Sequence, residues 1–194
     1  MSIETSHTSP RRTSVEKQSA VDVSHNVIVL LKQDHASVKK MFSQFEKCAK
    51  REDHSGKLEI ANTICVELLV HMLVEEEIFY PAARQVIHDD DMLNEANVEH
   101  ASAKDLIAQI QATDPTDALY DAKIKVLSEY ILHHVKEEET ELFPRVRATR
   151  QLDLKQMATL LTARRKALMA QLYGRNGKAD TERIRRMAGM GESH

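Results

Sequence analysis

Glycine and proline are scarce in this chain, five and four in 194 residues. That scarcity argues against a turn-rich β fold and favours long, uninterrupted helices. Cysteine occurs twice, and Cys48 and Cys65 form no CxxC pair and no multi-cysteine framework, so both read as reduced, semi-buried thiols. No apolar run approaches the ~20 residues of a membrane-spanning helix. The N-terminus is polar and lacks the apolar core of a signal peptide, so a cytoplasmic location is the default expectation. A net charge of −3 supplies no general attraction to nucleic acid or to an anionic membrane, and neither is expected as a partner.

What is present is helical periodicity. Residues 1–23 are Ser/Thr-rich around Pro10-Arg11-Arg12 and read as a disordered tail, with Ser24 as a helix N-cap. Four periodic segments follow, roughly 25–50, 57–87, 92–112 and 117–149. The polar breaks between them are short, which makes consecutive helices antiparallel neighbours. The expected fold is therefore all-α, an up-down-up-down four-helix bundle over residues 24–150. Pro81 and Pro144 should kink or end their helices. An additional amphipathic helix is expected over 151–173, carrying Leu154, Met157, Leu160, Leu161, Leu168 and Leu172, and a flexible basic tail over 174–194.

The bundle repeats internally. DHASVKKMFSQ (34–44) resembles EHASAKDLIAQ (99–109), and VHMLVEEEIFYP (70–81) aligns with HHVKEEETELFP (133–144). His35 matches His100, His71 matches His134, Glu75 matches Glu138, and Tyr80 matches Phe143. Two similar hairpins related by a pseudo-twofold axis are the natural reading.

Each helix carries a histidine in register with its apolar stripe. The stripes are Ile28, Leu31, His35, Val38, Phe42 and Phe45; Ile60, Ile64, Leu68, His71, Glu75 and Ile78; Leu93, Ala96, His100, Ala103, Ile107 and Ile110; and Ile124, Leu127, Ile131, His134, Glu138 and Leu142. In two of them a glutamate follows one turn later. A single core histidine is usually only a satisfied hydrogen bonder, and runs such as Glu75-Glu76-Glu77 are usually solvated faces. Four in-register imidazoles and a twice-repeated HxxxE exceed that explanation, because unpaired buried carboxylates cost several kcal/mol. His35, His71, Glu75, His100, His134 and Glu138 are thus the expected metal ligands. Six donors exceed a tetrahedral structural zinc site. With both glutamates bridging, two ions would each take two histidines, and an oxo or hydroxo bridge would leave each one open position. Iron suits that ligand set best, and manganese or a mixed pair remains open.

The residues His35, His71-x3-Glu75, His100 and His134-x3-Glu138, with the FYP and LFP endings, make residues 25–150 resemble the hemerythrin-like HHE cation-binding family. The resemblance implies a bundle around a carboxylate-bridged di-iron centre, with dioxygen, hydrogen peroxide or nitric oxide as partners. Two departures argue against simple oxygen storage. Lys104 stands where oxygen carriers have a further histidine, and Glu138 where they have an aspartate. The expected function is reaction with dioxygen or peroxide, including catalase-like disproportionation. The alternative is a non-catalytic oxygen, nitric oxide or iron binding or sensing module. A monomer or weak homo-oligomer is expected.

Other candidates are weaker. His133 points about 100° from His134 and reads as exposed, and Glu76, Glu77, Glu137, Glu139 and Glu141 read as solvated. Glu67 and Tyr130 precede ligand histidines by one turn and could orient them. Lys39 and Lys104 follow two others by one turn, either near a bound ligand or snorkelling to the surface. His7, His25, His54, His88 and His194 have no partner spacing.

Overall fold

The structure, a computed structural model, describes residues 26–174 and 176–189. The expected N-terminal tail, Ser24, His7, His25 and His194 lie outside those residues. Helix α1 spans Val27–Lys50 and is capped by Asn26, whose side chain accepts from the Ile28 N–H. Helix α2 spans His54–Val74, α3 Tyr80–Ile87, α4 Asp90–Ala112, α5 Tyr120–Glu137, α6 Phe143–Thr149, α7 Leu154–Leu172 and α8 Thr181–Gly189. Asp53, Asp89 and Asp153 cap α2, α4 and α7 by accepting from the first-turn N–H groups of Gly56, Met92, and Lys155 and Gln156. No strand occurs among the described residues; Tyr173 and Ala179 form an isolated antiparallel bridge.

The prolines do not end their helices. Single π-helical turns, Glu75–Phe79 and Glu138–Leu142, join α2 to α3 and α5 to α6. In the first, the Tyr80 N–H reaches back to the Glu75 carbonyl, and in the second the Phe143 N–H reaches the Glu138 carbonyl. An α-helical proline has no N–H to donate and crowds the carbonyl four residues back. The wider turn directly upstream accommodates both problems, so each helix runs on past its proline. π turns of this kind recur at functional sites, and here they begin at the two core glutamates. Both extended helices then stop at left-handed residues, His88 and Arg150.

The apolar stripes meet in one core. Leu31, Ile64, Leu68, Leu93, Ile107, Leu127 and Phe143 are all but inaccessible. Helix α2 is apolar nearly all round, with Val66, Leu69, Val70 and Met72 buried as well, so it must be covered on both sides. Helix α7 supplies that cover, packing on α1 and α2 through Met157, Ala158, Leu161, Leu168 and Leu172. Leu160, expected in this apolar face, instead points to solvent.

The expected flexible tail differs from what is seen at 181–189. Gly177, with φ +71°, allows a tight turn that brings Ala179 beside Tyr173. Helix α8 then lies against α4 with Ile184 and Ala188 buried. These apolar residues lie one turn apart in a stretch that also carries Arg183, Arg185 and Arg186.

Cys65 is buried and Cys48 half-buried, both free. Burial pushes the Cys65 thiol up to about 12, so it stays neutral and inert.

Candidate metal centre

All six expected ligands converge at the bundle centre, and all are nearly inaccessible: His35, His71, Glu75, His100, His134 and Glu138. They form two overlapping groups, His35, His71, Glu75 and Glu138 on one side and Glu75, His100 and His134 on the other. The Nε2 atoms of His35 and His71 lie 3.1 Å apart, and those of His100 and His134 lie 3.0 Å apart. The carboxylates span the two pairs. Glu75 Oε2 is 3.1 Å from His71 Nε2 and 3.6 Å from His100 Nε2. Glu138 Oε2 is 3.2 Å from His35 Nε2 and 3.5 Å from His134 Nε2.

The outward ring nitrogens explain the inward ones. Each Nδ1 faces a carboxylate: His35 with Glu139 at 3.0 Å, His71 with Asp34 at 3.5 Å, His100 with Glu76 at 2.9 Å and His134 with Glu99 at 2.7 Å. A proton on Nδ1, donated to that carboxylate, leaves Nε2 with a lone pair. Two such lone pairs 3 Å apart repel, and both oxygens of Glu75 and Oε2 of Glu138 lack any hydrogen-bond donor. A cation resolves both problems. Nitrogens about 3 Å apart are also what two ligands at right angles show when each sits roughly 2.1 Å from one ion. The residues present therefore fit a metal centre.

The electrostatics agree. Burial, and then the charge of Glu138, raises the Glu75 carboxyl well above its ordinary value. Burial also pushes Glu138 up, whereas charge on His134 and a proton from His35 would outweigh it and bring that group down to about 2 once those rings are protonated. Burial lowers His71, and it lowers His100 to about 4.

Several contributors were not legible as site residues. Glu76 and Glu139, expected to be solvated, hold His100 and His35. Lys104 is buried and donates to Glu76 Oε1 at 2.7 Å, and Lys39 lies 3.6 Å from Glu139 Oε1. The pseudo-twofold thus extends outward through lysine, carboxylate and histidine in both halves. The acidic residues just before His35 and His100 were the available signal for Asp34 and Glu99. Glu67 orients no histidine directly; it pairs with Arg165 of α7, which also grips Asp34. Tyr130 is exposed, as is His133.

One position breaks the symmetry inside the centre. Tyr80 donates its hydroxyl to Glu138 Oε1 at 3.0 Å and lies 3.2 and 3.4 Å from the Nε2 atoms of His100 and His134. Its counterpart Phe143 stacks on His35, centroid to centroid at 5.7 Å. Burial and the Glu138 charge raise the Tyr80 phenol well above its ordinary value, so it keeps its proton.

Glu76→Ala should lower metal affinity by about 10- to 100-fold, the usual cost of losing a partner behind a ligand histidine. Glu77→Ala should leave it unchanged, since that carboxylate turns outward to Arg164 at 2.6 Å. Titration against a chromophoric chelator distinguishes the two.

A helical bundle whose centre gathers four imidazoles and two buried carboxylates, with three of their four oxygens lacking a donor, is a cation-binding protein. Residues 26–146 match the hemerythrin HHE cation-binding domain, and the chain belongs to that family. It is also similar to a hemerythrin HHE cation-binding domain-containing protein from Mycobacterium kansasii. That likeness has a TM-score of 0.67 at 19% identity, over 84% of this chain and 98% of the other, and it concerns the fold. A protein from Nostoc sp. named DNA nickase is 27% identical over 122 residues, 63% of this chain and 34% of its own length. The chain thus spans about a third of that curated relative. No helix among the described residues is long and apolar enough to cross a membrane.

Proposed function

We propose that this protein holds two iron ions at the six-residue centre and reacts there with dioxygen or hydrogen peroxide. The observation that carries the reading is the pair of two-histidine clusters spanned by both Glu75 and Glu138. His35 and His71 would hold one ion, His100 and His134 the other, and the two glutamates would be shared. When bound, two iron ions supply a two-electron couple suited to disproportionating hydrogen peroxide into water and dioxygen.

The chain's own residues prepare the site. Asp34, Glu76, Glu99 and Glu139 fix the rings with Nε2 inward. Tyr80 donates its phenol proton to Glu138 Oε1 and so fixes that carboxylate beside the histidine pair. Phe79 and Phe143 pack edge-to-face next to the cluster and exclude water on that side. A cavity of about 170 Å³, walled by Val98, Ala103, Tyr130 and Ile131, reaches His100 and His134 from the surface. Its apolar wall suits a small neutral molecule.

The iron-loaded protein should evolve oxygen from peroxide faster than the same amount of free iron. Turnover no greater than free iron removes the enzymatic reading. Stoichiometric gas binding without turnover would instead carry the alternative, a binding or sensing module. The carboxylate-rich surface around Glu99 and Glu137 disfavours a phosphate backbone, so the proposal keeps to small-molecule partners. Nicking of supercoiled plasmid by the loaded protein would contradict it.

A further inference from the structure

The two halves of the centre are alike inside but not outside. On the repeat alignment, His133 and Glu137 of α5 correspond to Val70 and Val74 of α2, both fully buried. The first hairpin is sealed on that side by α7. The second is open, and three ligand-type side chains meet there. His133 Nε2 lies 3.2 Å from Glu137 Oε1 and 3.8 Å from Glu99 Oε1. The three offer donor atoms within 4.8 Å of one another, close enough to share an ion.

We propose that Glu99, His133 and Glu137 form a surface site that captures ferrous iron before it passes through the adjoining acidic cleft to the buried centre. This rests on the reading of that centre as an iron site. The cleft has a volume of about 230 Å³, with Glu95, Glu99, Glu137 and Glu141 on its walls and His134 and Glu138 at its inner end. Carboxylate walls raise the local concentration of cations. Arg145 neutralises Asp89 at the rim and lies 3.9 Å from Glu141, so the negative wall is the Glu95, Glu99 and Glu137 side.

Glu99 belongs to both ends of the path. One oxygen faces His133, and the other holds His134 at 2.7 Å. The inner end opens on the orphaned oxygen that marks the buried centre. Glu138 is 2% exposed, lines the cleft, and its Oε2 has no hydrogen-bond partner. With its proton on Nδ1 facing Glu139, the neighbouring His35 has none at Nε2 to give. The outer site is suited to passing an ion on. The His133 side chain is 62% exposed and that of Glu137 41%, so water fills the remaining positions and exchanges freely. An ion held by three donors there gains by moving to the richer set inside.

The test is anaerobic uptake of ferrous iron by the stripped full-length protein, followed by competition with a coloured chelator in stopped flow. The double variant His133→Ala/Glu137→Gln should load about ten-fold more slowly or worse, on the scale at which local charge alters association, yet reach the same final iron content as the unmodified chain. Glu129→Gln, an exposed acid of α5 outside the cleft, should load at the unmodified rate. Equal rates for the double variant and the unmodified chain would overturn the proposal. So would equal slowing by Glu129→Gln, which would show only bulk charge at work, or a lower final content in the double variant, which would make these residues part of the centre. If the unmodified chain takes up no iron, the di-iron reading falls and the entry site with it.

Discussion

Iron-loaded protein should melt on the order of 10 °C above the stripped chain at neutral pH, since a ligand at about a thousand times its Kd adds roughly 4 kcal/mol and each kcal/mol moves a domain of this size by about 2–4 °C. The gap should narrow steeply in acid. His71 and His100 are held below their ordinary values by burial, His100 at about 4. A base depressed in this way contributes stability that is present above its unfolded value near 6.5 and lost as pH falls toward its folded value. Metal needs the same unprotonated nitrogens, so the loaded form loses both contributions in that window. Glu75 runs the other way. Its raised carboxyl costs stability in the stripped chain at neutral pH, and the cost is relieved as the pH falls toward its ordinary value of 4.5. The stripped chain therefore declines less in acid than the loaded one. Thermal unfolding of both forms across a pH series measures this. Equal melting temperatures at neutral pH with occupancy confirmed would rule out a metal site in the core.

The second large effect concerns the shared carboxylates. Glu75→Ala and Glu138→Ala should each reduce the iron content from two ions per chain toward one, because each removes a donor placed between the histidine pairs. His133→Ala should leave the final content unchanged, since that side chain points outward. Elemental analysis of protein purified without chelator gives the count. Full retention of both ions in either glutamate variant would refute the bridging assignment.

These residues stood out in the sequence because each falls on a position that burial should have made apolar. Every residue of the α1 and α4 stripes is buried, as are those of α5 through its π turn. The carboxylates behind the histidines did not stand out for the complementary reason. Glu76 and Glu139 lie one residue beyond a core position, where periodicity along a single helix predicts solvent. Their partners sit on another helix of the opposite hairpin, a relation that no spacing along one helix contains. Tyr80 was visible only as a mismatch with Phe143 in the repeat. Arg165 was hidden further, in a helix outside the repeat altogether. The π turns were equally illegible, since a proline within a helical pattern reads as a stop unless the preceding turn can widen.

Helix α7 also decides which surface the bundle shows to water. Glu67 and Glu77 of the α2 arm meet Arg165 and Arg164 of α7, so the face that carries Val66, Val70 and Leu73 between them lies beneath this helix. A bundle ending at residue 149 would keep all six histidine and glutamate side chains of the centre. It would also present that stripe as a contiguous oily strip, the kind of surface on which proteins self-associate. The six-residue cluster is a property of the four-helix repeat, whereas the cover over this apolar stripe comes from the helix that follows.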